Sequence, residues 1–254
     1  MIISVVNQKG GVAKTTTALA LGEYLHAKGK KILFVDLDPQ GNLSFTLGAK
    51  REGLSTFEIL DDKTKTKEAI QTTSWGDLLS SSGRLAVADT HFVDFARSYH
   101  LQEALDTVKG NYDHIVIDTP PSLGILTMNA LTASSTLLIP AQPDRYSLEG
   151  IAQLYQTISV VRKYSNKDLD VLGFVITRYN GRSILKRTIA DSLEKVASAN
   201  GTIVFPTRIR ECVAIPEAET KGIDIFSYAK RSNAAKDYLQ LCSEIEKEMK
   251  RRNK

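Results

Sequence analysis

The run Asn7-Gln8-Lys9-Gly10-Gly11-Val12-Ala13-Lys14-Thr15-Thr16-Thr17 constrains this chain more than any other stretch. Ahead of it, Met1-Ile2-Ile3-Ser4-Val5-Val6 reads as a short buried strand, and behind it Ala18, Leu21, Tyr24 and Leu25 recur at helical spacing. A strand, a glycine-bearing turn, Lys-Thr and a helix form the geometry of a phosphate-binding loop. Gly10 and Gly11 carry no side chains, so the backbone can approach an anion closely. Its N–H groups and the N-terminus of the following helix then supply partial positive charge. Lys14 adds a full charge, and the Thr15 hydroxyl suits a Mg²⁺ ion held beside a phosphate.

At 254 residues the chain fits one large α/β domain or two small ones. A hydrophobic content of 42% and a charged content of 24% are those of an ordinary water-soluble fold. No apolar run approaches the roughly 18 residues that span a membrane. The start turns polar too soon for a secretory signal, so the expected location is cytoplasmic. Cys212 and Cys242 lie far apart and form no CxxC, which predicts buried thiols and argues against a bridging iron–sulfur cluster. Charge is uneven: from Arg178 onward 16 Lys/Arg face 10 Asp/Glu, whereas residues 1–177 hold 17 against 19. A basic last third suits an anionic partner.

Apolar runs alternate with helical patterns along the whole chain. Lys31–Asp36 is a second buried strand, running into Leu37-Asp38-Pro39-Gln40-Gly41-Asn42. Ser55–Leu60 reads as a capped helix, Leu78 and Leu79 close a strand starting near Trp75, and Phe95–Val108 reads as a helix. Further strands are expected at Asp113–Asp118, Ser135–Pro140, Leu169–Thr177 and Thr202–Pro206. Long helices are expected up to Val161, through Leu185, Ile189, Leu193 and Val196, and from Ser232 to Met249. The tail Lys250–Lys254 is expected to fray. Near-continuous apolar strands separated by helices predict a doubly wound α/β fold, a mostly parallel sheet with helices on both faces. No linker or repeat divides residues 1–254, so a single domain is expected.

The loop departs from the general G-x-x-x-x-G-K-[ST] pattern, whose glycines fall here at Gln8 and Ala13. In their place stands a second lysine, Lys9, five residues before Lys14. K-G-G-V-x-K-T-T resembles the deviant P-loop of the ParA/MinD family, the signature-lysine ATPases. V-D-L-D-P-Q-G-N at Val35–Asn42 resembles that family's second nucleotide motif. The apolar strand ending in Asp118, followed by T-P-P-S-L-G, resembles its Walker B segment and switch loop. Glycine is usual in the family where Ala13 stands. A methyl is compatible with a negative φ, which is therefore expected there. The resemblance runs along essentially the full length and points to a small, Soj-type member that begins at the first strand.

That resemblance implies ATP and Mg²⁺ as cofactors and slow, partner-stimulated ATP hydrolysis. Nucleotide contacts would come from Lys9, Gly10, Gly11, Val12, Ala13, Lys14, Thr15, Thr16 and Asp118, with Pro206 on the adenine side. There the P-x-x-x-R-E-x-x-x-x-P-E-A run (Pro206, Arg210, Glu211, Pro216, Glu217, Ala218) resembles the family's adenine-side loop and the motif after it. Thr15, Asp38 and Asp118 would organise the metal, and Asp36 would support that side. Lys9 and Asp38 would be catalytic, Lys9 by reaching the partner's phosphate in an ATP-dependent homodimer and Asp38 by placing water. Arg182 and Arg210 match loop arginines that grip the DNA backbone, a contact that positions without reading bases. The implied job is DNA partition on non-specific double-stranded DNA at the nucleoid, with a ParB-like centromere-binding partner and no membrane. A MinD-like membrane-associated positioning ATPase is the alternative. It would need bulky apolar residues among the terminal basic ones, and none follows Met249.

Overall fold

The computed structural model describes residues 1–50 and 52–252. In chain order it runs β1 (Ile2–Val5), α1 (Lys14–Ala27), β2 (Ile32–Asp36), α2 (Asn42–Thr46), α3 (Thr56–Asp61), α4 (Thr66–Ala69), β3 (Ile70–Thr73) and β4 (Gly76–Leu79). Then come α5 (Ala88–His91), α6 (His100–Asp106), β5 (His114–Asp118), α7 (Ile125–Ala133), β6 (Thr136–Ala141), α8 (Ser147–Tyr164) and β7 (Asp170–Ile176). The chain closes with α9 (Ile184–Ala199), α10 (Ala214–Lys221), α11 (Ile225–Tyr228) and α12 (Asn233–Arg252). Among the described residues the strands form one seven-stranded sheet in the order β3-β4-β2-β5-β1-β6-β7. Every pairing is parallel except β3 with β4.

Period-2 alternation distributes each strand between two cores. Ile3, Val5, Ile32, Phe34, Val116 and Leu138 face the layer made by α1 and α12. Leu33, Val35, Ile115 and Ile117 face the layer containing α3, α6 and α7. Leu137, Ile139, Val171 and Phe174 pack with residues of α8 and α9. Helix α1 lies close on the sheet because position 22 is glycine: a Cβ there would stand 2.2 Å from the Phe34 ring. The strand ends of β1, β2, β5 and β6 thus converge on one rim, where parallel sheets bind ligands.

The doubly wound fold is as expected, and the differences are local. β3 was not anticipated; its four residues are too few and too polar to stand out, and it pairs only as the edge arm of a hairpin turned at Gly76. Phe95–Tyr99 forms 3₁₀ turns before α6 begins at His100. Thr202–Pro206 is no full strand: Val204 makes a single bridge to Phe174 beyond β7. The terminal segment does not fray up to Arg252, which donates to the Val171 and Leu172 carbonyls and pairs with Asp170 and Glu248. Asn253 and Lys254 of the tail lie outside the described residues. Both thiols are free, but only Cys242 is buried; Cys212 is half-exposed.

Helix α1 also carries Glu23, 2% exposed, with neither carboxyl oxygen hydrogen-bonded among the described residues. Burial first, and the neighbouring Asp224 charge second, push its pKa from 4.5 up to about 9. Folding therefore takes up a proton between those two values. The contribution to stability is complete below pH 4.5 and is lost as pH rises through about 9, by about 1.4 kcal/mol per unit. Glu23→Gln keeps the shape and removes the proton demand. The variant should melt above the parent at pH 8, with the gap closing toward pH 5 in thermal melts; a gap independent of pH would exclude this origin.

Candidate active site

The loop between β1 and α1 is pinned from both sides. Asn7 donates from Nδ2 to the Pro140 carbonyl at 2.7 Å and accepts the Lys9 N–H at 2.9 Å. Val12 is fully buried, and its carbonyl accepts from the Thr177 hydroxyl at 3.1 Å. Gly11 has φ 70°, as expected for a glycine. Ala13 does too, at φ 65° and ψ 39°, which overturns the expectation of a negative φ. The turn is fixed on either side of it: Val12 is buried and bonded to Thr177, and the Ala13 carbonyl opens α1. That carbonyl accepts both the Thr17 N–H at 3.0 Å and the Thr17 hydroxyl at 2.7 Å, which fixes the peptide as α1 starts. A left-handed alanine costs about 1 kcal/mol, which those bonds and the buried Val12 sustain.

This loop floors a cleft of about 450 Å³ lined by Gly10, Gly11, Ala13, Lys14, Thr15 and Thr16. Asp38, Gln40, Asn42 and Pro121 close one side, and the segment from Ile209 to Pro216 faces them. Lys14 is 7% exposed and donates to the Lys9 carbonyl at 3.0 Å. Burial lowers its pKa, against the raising effect of Asp118 and Asp38. Asp118 is fully buried at the end of β5; burial, then repulsion from Asp36, push its carboxyl well above the ordinary range. Its Oδ2 accepts from the Thr15 hydroxyl at 2.6 Å, whereas Oδ1 has no partner. Hard oxygen donors and an orphaned buried carboxylate oxygen fit Mg²⁺, which takes few protein ligands and completes its shell with phosphate and water. Among the described residues no cluster of three or more metal-binding side chains offers another site.

Asp36 and Asp38 divide the work. Asp36 is fully buried and points inward, accepting the Ser44 N–H at 2.8 Å, the Ser44 hydroxyl at 2.7 Å and the Asp38 N–H at 3.1 Å. Burial raises its pKa to about 6, with those donors opposing the rise. Asp38 lines the cleft, 8% exposed, and its Oδ1 accepts the Gln40 N–H at 3.0 Å. The cleft therefore offers a carboxylate beside an anion-binding loop, the arrangement that orients a water for attack on a phosphoryl group.

Of the other residues singled out from sequence, Lys9, Pro206 and Arg182 lie apart from the cleft wall and Arg210 is on it. Lys9 is half-exposed and ion-paired with Asp144, just before α8. Partial burial would raise the Asp144 carboxyl, but hydrogen bonds from Lys9 and Ser147 outweigh it and hold the pKa low. Pro206 is exposed and is not among the cleft-lining residues. Arg182 is exposed on the loop before α9, with no ion pair among the described residues. Arg210 lines the cleft, yet its guanidinium is bound two-pronged by Asp237 at 2.9 and 2.6 Å. Sequence reasoning missed Thr177, Arg178, Ile209, Cys212 and Val213 on the far wall, whereas Arg210, Glu211 and Pro216 there belong to the run from Pro206 to Ala218 singled out from sequence. It also missed the 2.5 Å bond from Thr16 to Glu219 that ties α10 to the loop. One signal was available for Thr177 and Arg178: they directly follow an apolar strand, β7, which ends at Ile176.

A family model for AAA domains matches residues 1–171. The chain is 39% identical over 249 residues to the sporulation initiation inhibitor protein Soj of Bacillus subtilis (strain 168), covering 96% of this chain and 97% of that protein. It is 40% identical over 243 residues to the chromosome-partitioning ATPase Soj of Treponema pallidum (strain Nichols), covering 94% of each. Among solved structures, cobyrinic acid a,c-diamide synthase from Mycobacterium smegmatis with bound ADP and magnesium superposes with a TM-score of 0.80. The identity there is 34%, over 95% of this chain and 92% of that one.

The left-handed alanine generates a direct test. Ala13→Gly removes the Cβ clash at φ 65° while leaving the carbonyl bonds to Thr17 in place. The net gain should be of the order of 1 kcal/mol, about 2–4 °C in melting temperature for a chain of this size. Calorimetry of the two proteins checks it; a lower melting temperature for the glycine variant would contradict the strain.

Proposed function

Because the chain belongs to the ParA/Soj family of partition ATPases, we propose that it is an ATP-driven dimer switch that holds double-stranded DNA non-specifically and lets go on hydrolysis. The observation that carries this reading is the separation of the two lysines. Lys14 is buried in the cleft, where one nucleotide phosphate chain would lie. Lys9 stands outside it, with its ammonium on Asp144, the pair 31% and 29% exposed. A half-exposed pair of this kind is worth about 0–1 kcal/mol, so Lys9 can exchange Asp144 for an anion brought by a second copy. Dimerisation and phosphate binding are then one event.

Within each copy, the Lys14 ammonium and the loop N–H groups hold the β- and γ-phosphates. Thr15 and Asp118 would hold Mg²⁺, which neutralises charge on those oxygens when bound. Asp38 orients the attacking water. Among the described residues Arg178 and Arg210 are the arginines that line the cleft; Arg178 is exposed, and Arg210 is already committed to Asp237. Unassisted turnover should therefore be slow, on the order of 10⁻³ s⁻¹, and a ParB-like protein is the proposed stimulator.

DNA would be met by the loop and first turn around α9. Arg178, Arg182 and Arg187 are exposed there and take no ion pair among the described residues. Two copies side by side would double the phosphate contacts, and log K falls by about 0.9 per neutralised phosphate per decade of salt. Membrane attachment is the weaker reading. No helix among the described residues is long and apolar enough to cross a membrane, and the last turn of α12 is tied to Glu248 and Asp170. DNA binding with ADP, ATP and a slowly hydrolysed analogue, set beside sedimentation with anionic liposomes, tests the function as a whole.

Two variant series sharpen it. Lys14→Ala should lose ATP affinity, whereas Lys9→Ala should keep it and stay monomeric with ATP in light scattering. An ATP-dependent dimer of Lys9→Ala would remove the cross-subunit role. Arg182→Ala should weaken binding to every DNA sequence alike and flatten the salt slope, whereas Arg210→Ala should act mainly on stability through Asp237. Unchanged slope and affinity for Arg182→Ala would place the DNA elsewhere.

A further inference from the structure

Asp38 is held by more than its own loop. Its N–H donates to Asp36 Oδ1 at 3.1 Å, and its carbonyl accepts the Gly41 N–H at 2.9 Å and the Ser81 hydroxyl at 2.5 Å. Ser81 comes from the end of β4, 43 residues away in sequence. It is itself placed by its own N–H, which donates to the Ser44 hydroxyl at 2.8 Å, and Ser44 in turn donates to Asp36 Oδ2 at 2.7 Å. Asp36, Ser44, Ser81 and Asp38 thus close a ring of hydrogen bonds. The preceding residue is anchored as well: the Ser80 carbonyl accepts the Thr56 N–H at 2.8 Å and the Thr56 hydroxyl at 3.1 Å. Thr56 also bonds the Asp36 carbonyl at 3.0 Å.

We infer that Ser81 is a positioning residue for hydrolysis, its hydroxyl fixing the peptide of Asp38 so that the carboxylate is aimed at the water. The inference rests on reading Asp38 as the residue that orients that water. Gly41 lies in the left-handed region at φ 64°, and within the loop the Gln40 N–H bonds the Asp38 carboxylate itself at 3.0 Å. Both peptide groups flanking the Asp38 side chain are bonded, one to Asp36 and the other by Gly41 and Ser81. Removing the Ser81 hydroxyl leaves the second held by the Gly41 N–H alone. Misplacement of a catalytic group by about 1 Å can cost on the order of a hundredfold in rate. Nucleotide affinity depends on Lys14 and the loop N–H groups, none of which touches Ser81. Loss of the hydroxyl should therefore act on turnover and leave binding alone, the signature of an interaction used in the transition state.

The substitution is also a clean one. The Ser81 N–H bond to Ser44 belongs to the backbone and survives any side-chain change. Beyond the hydroxyl, Ser81 borders an open groove of about 370 Å³ shared with Lys50, Ser55 and Arg84, which leaves room for one added methyl. Ser82, the next residue, caps the Arg84 N–H and does not reach Asp38, so it serves as the neighbouring control.

The test compares wild type with Ser81→Ala, Ser81→Cys, Ser81→Thr, Ser82→Ala and Asp38→Ala. Phosphate release from Mg·ATP with double-stranded DNA present, affinity for a fluorescent ATP analogue, and melting temperature are read for each. Ser81→Ala should lose about tenfold or more in kcat with affinity within about twofold. Ser81→Thr should recover the rate, Ser81→Cys with its weak donor should fall between, and Ser82→Ala should match wild type. Wild-type turnover in Ser81→Ala beside an inactive Asp38→Ala overturns the clamp. So does a loss that follows melting temperature instead of donor strength. Normal turnover in Asp38→Ala defeats the underlying reading of Asp38 instead, and the two failures are thereby told apart.

Discussion

Two carboxylates buried side by side organise the rim of this sheet. Asp36 and Asp118 end the adjacent parallel strands β2 and β5 and stand opposite each other in register, both at 0% exposure. Burying one charge without compensation is costly, and burying two together more so. The structure answers the two differently. Asp36 is surrounded by three donors, from Ser44 and Asp38, and so becomes a structural acceptor that shapes the following loop. Asp118 receives one hydroxyl, faces Lys14 electrostatically and keeps one oxygen open. The same residue type, one position apart in environment, is in one case an anchor and in the other a ligand in waiting.

Those requirements propagate outward. To supply donors for Asp36, α2 must begin immediately after the Gly41 turn, with Ser44 in its first turn. To hold Asp38 at the cleft edge, β4 must end beside the same loop, which is why Ser81 can reach the Asp38 carbonyl. On the other side, α1 must bring Lys14 and Thr15 over Asp118, and Gly22 lets that helix press onto Phe34 closely enough to do so. The positive φ at Ala13 belongs to this chain of demands. It is a local cost accepted because the loop on either side is over-determined by Asn7, Thr177 and Thr17.

Much of this was legible in sequence where local patterns carry the constraint. Apolar runs ending in an acid located β2 and β5, and Lys-Thr after a glycine turn located the start of α1, because those features depend on neighbours in the chain. What escaped notice depends on residues far apart. The far wall of the cleft from Ile209 to Pro216 is placed beyond the end of β7 by the bridge between Tyr179 and Arg210, and the spacing in the sequence announces only Arg210, Glu211 and Pro216 of it. Backbone angle escaped too: alanine at position 13 suggested a negative φ, but a loop pinned through Asn7 and Val12 outweighs the preference of its side chain. β3 is short and half-polar, so only its partner β4 makes it a strand.

Charge shows the same limit in another form. Counting residues makes the last third of the chain basic, but much of that charge is spent inside the protein. Arg210 is committed to Asp237, Arg208 to Glu194, Arg251 to Glu248, and Arg252 to Glu248 and Asp170. Each such pair removes a cation from the field that an approaching polyanion meets, since the partner carboxylate moves with it. The net excess survives where arginines take no ion pair, and among the described residues Arg178, Arg182 and Arg187, in the loop before α9 and its first turn, meet that condition. Under the proposed pairing of two copies, two such patches would act on one polyanion, and the steep dependence of binding on the number of phosphate contacts would by itself couple the nucleotide to the polyanion.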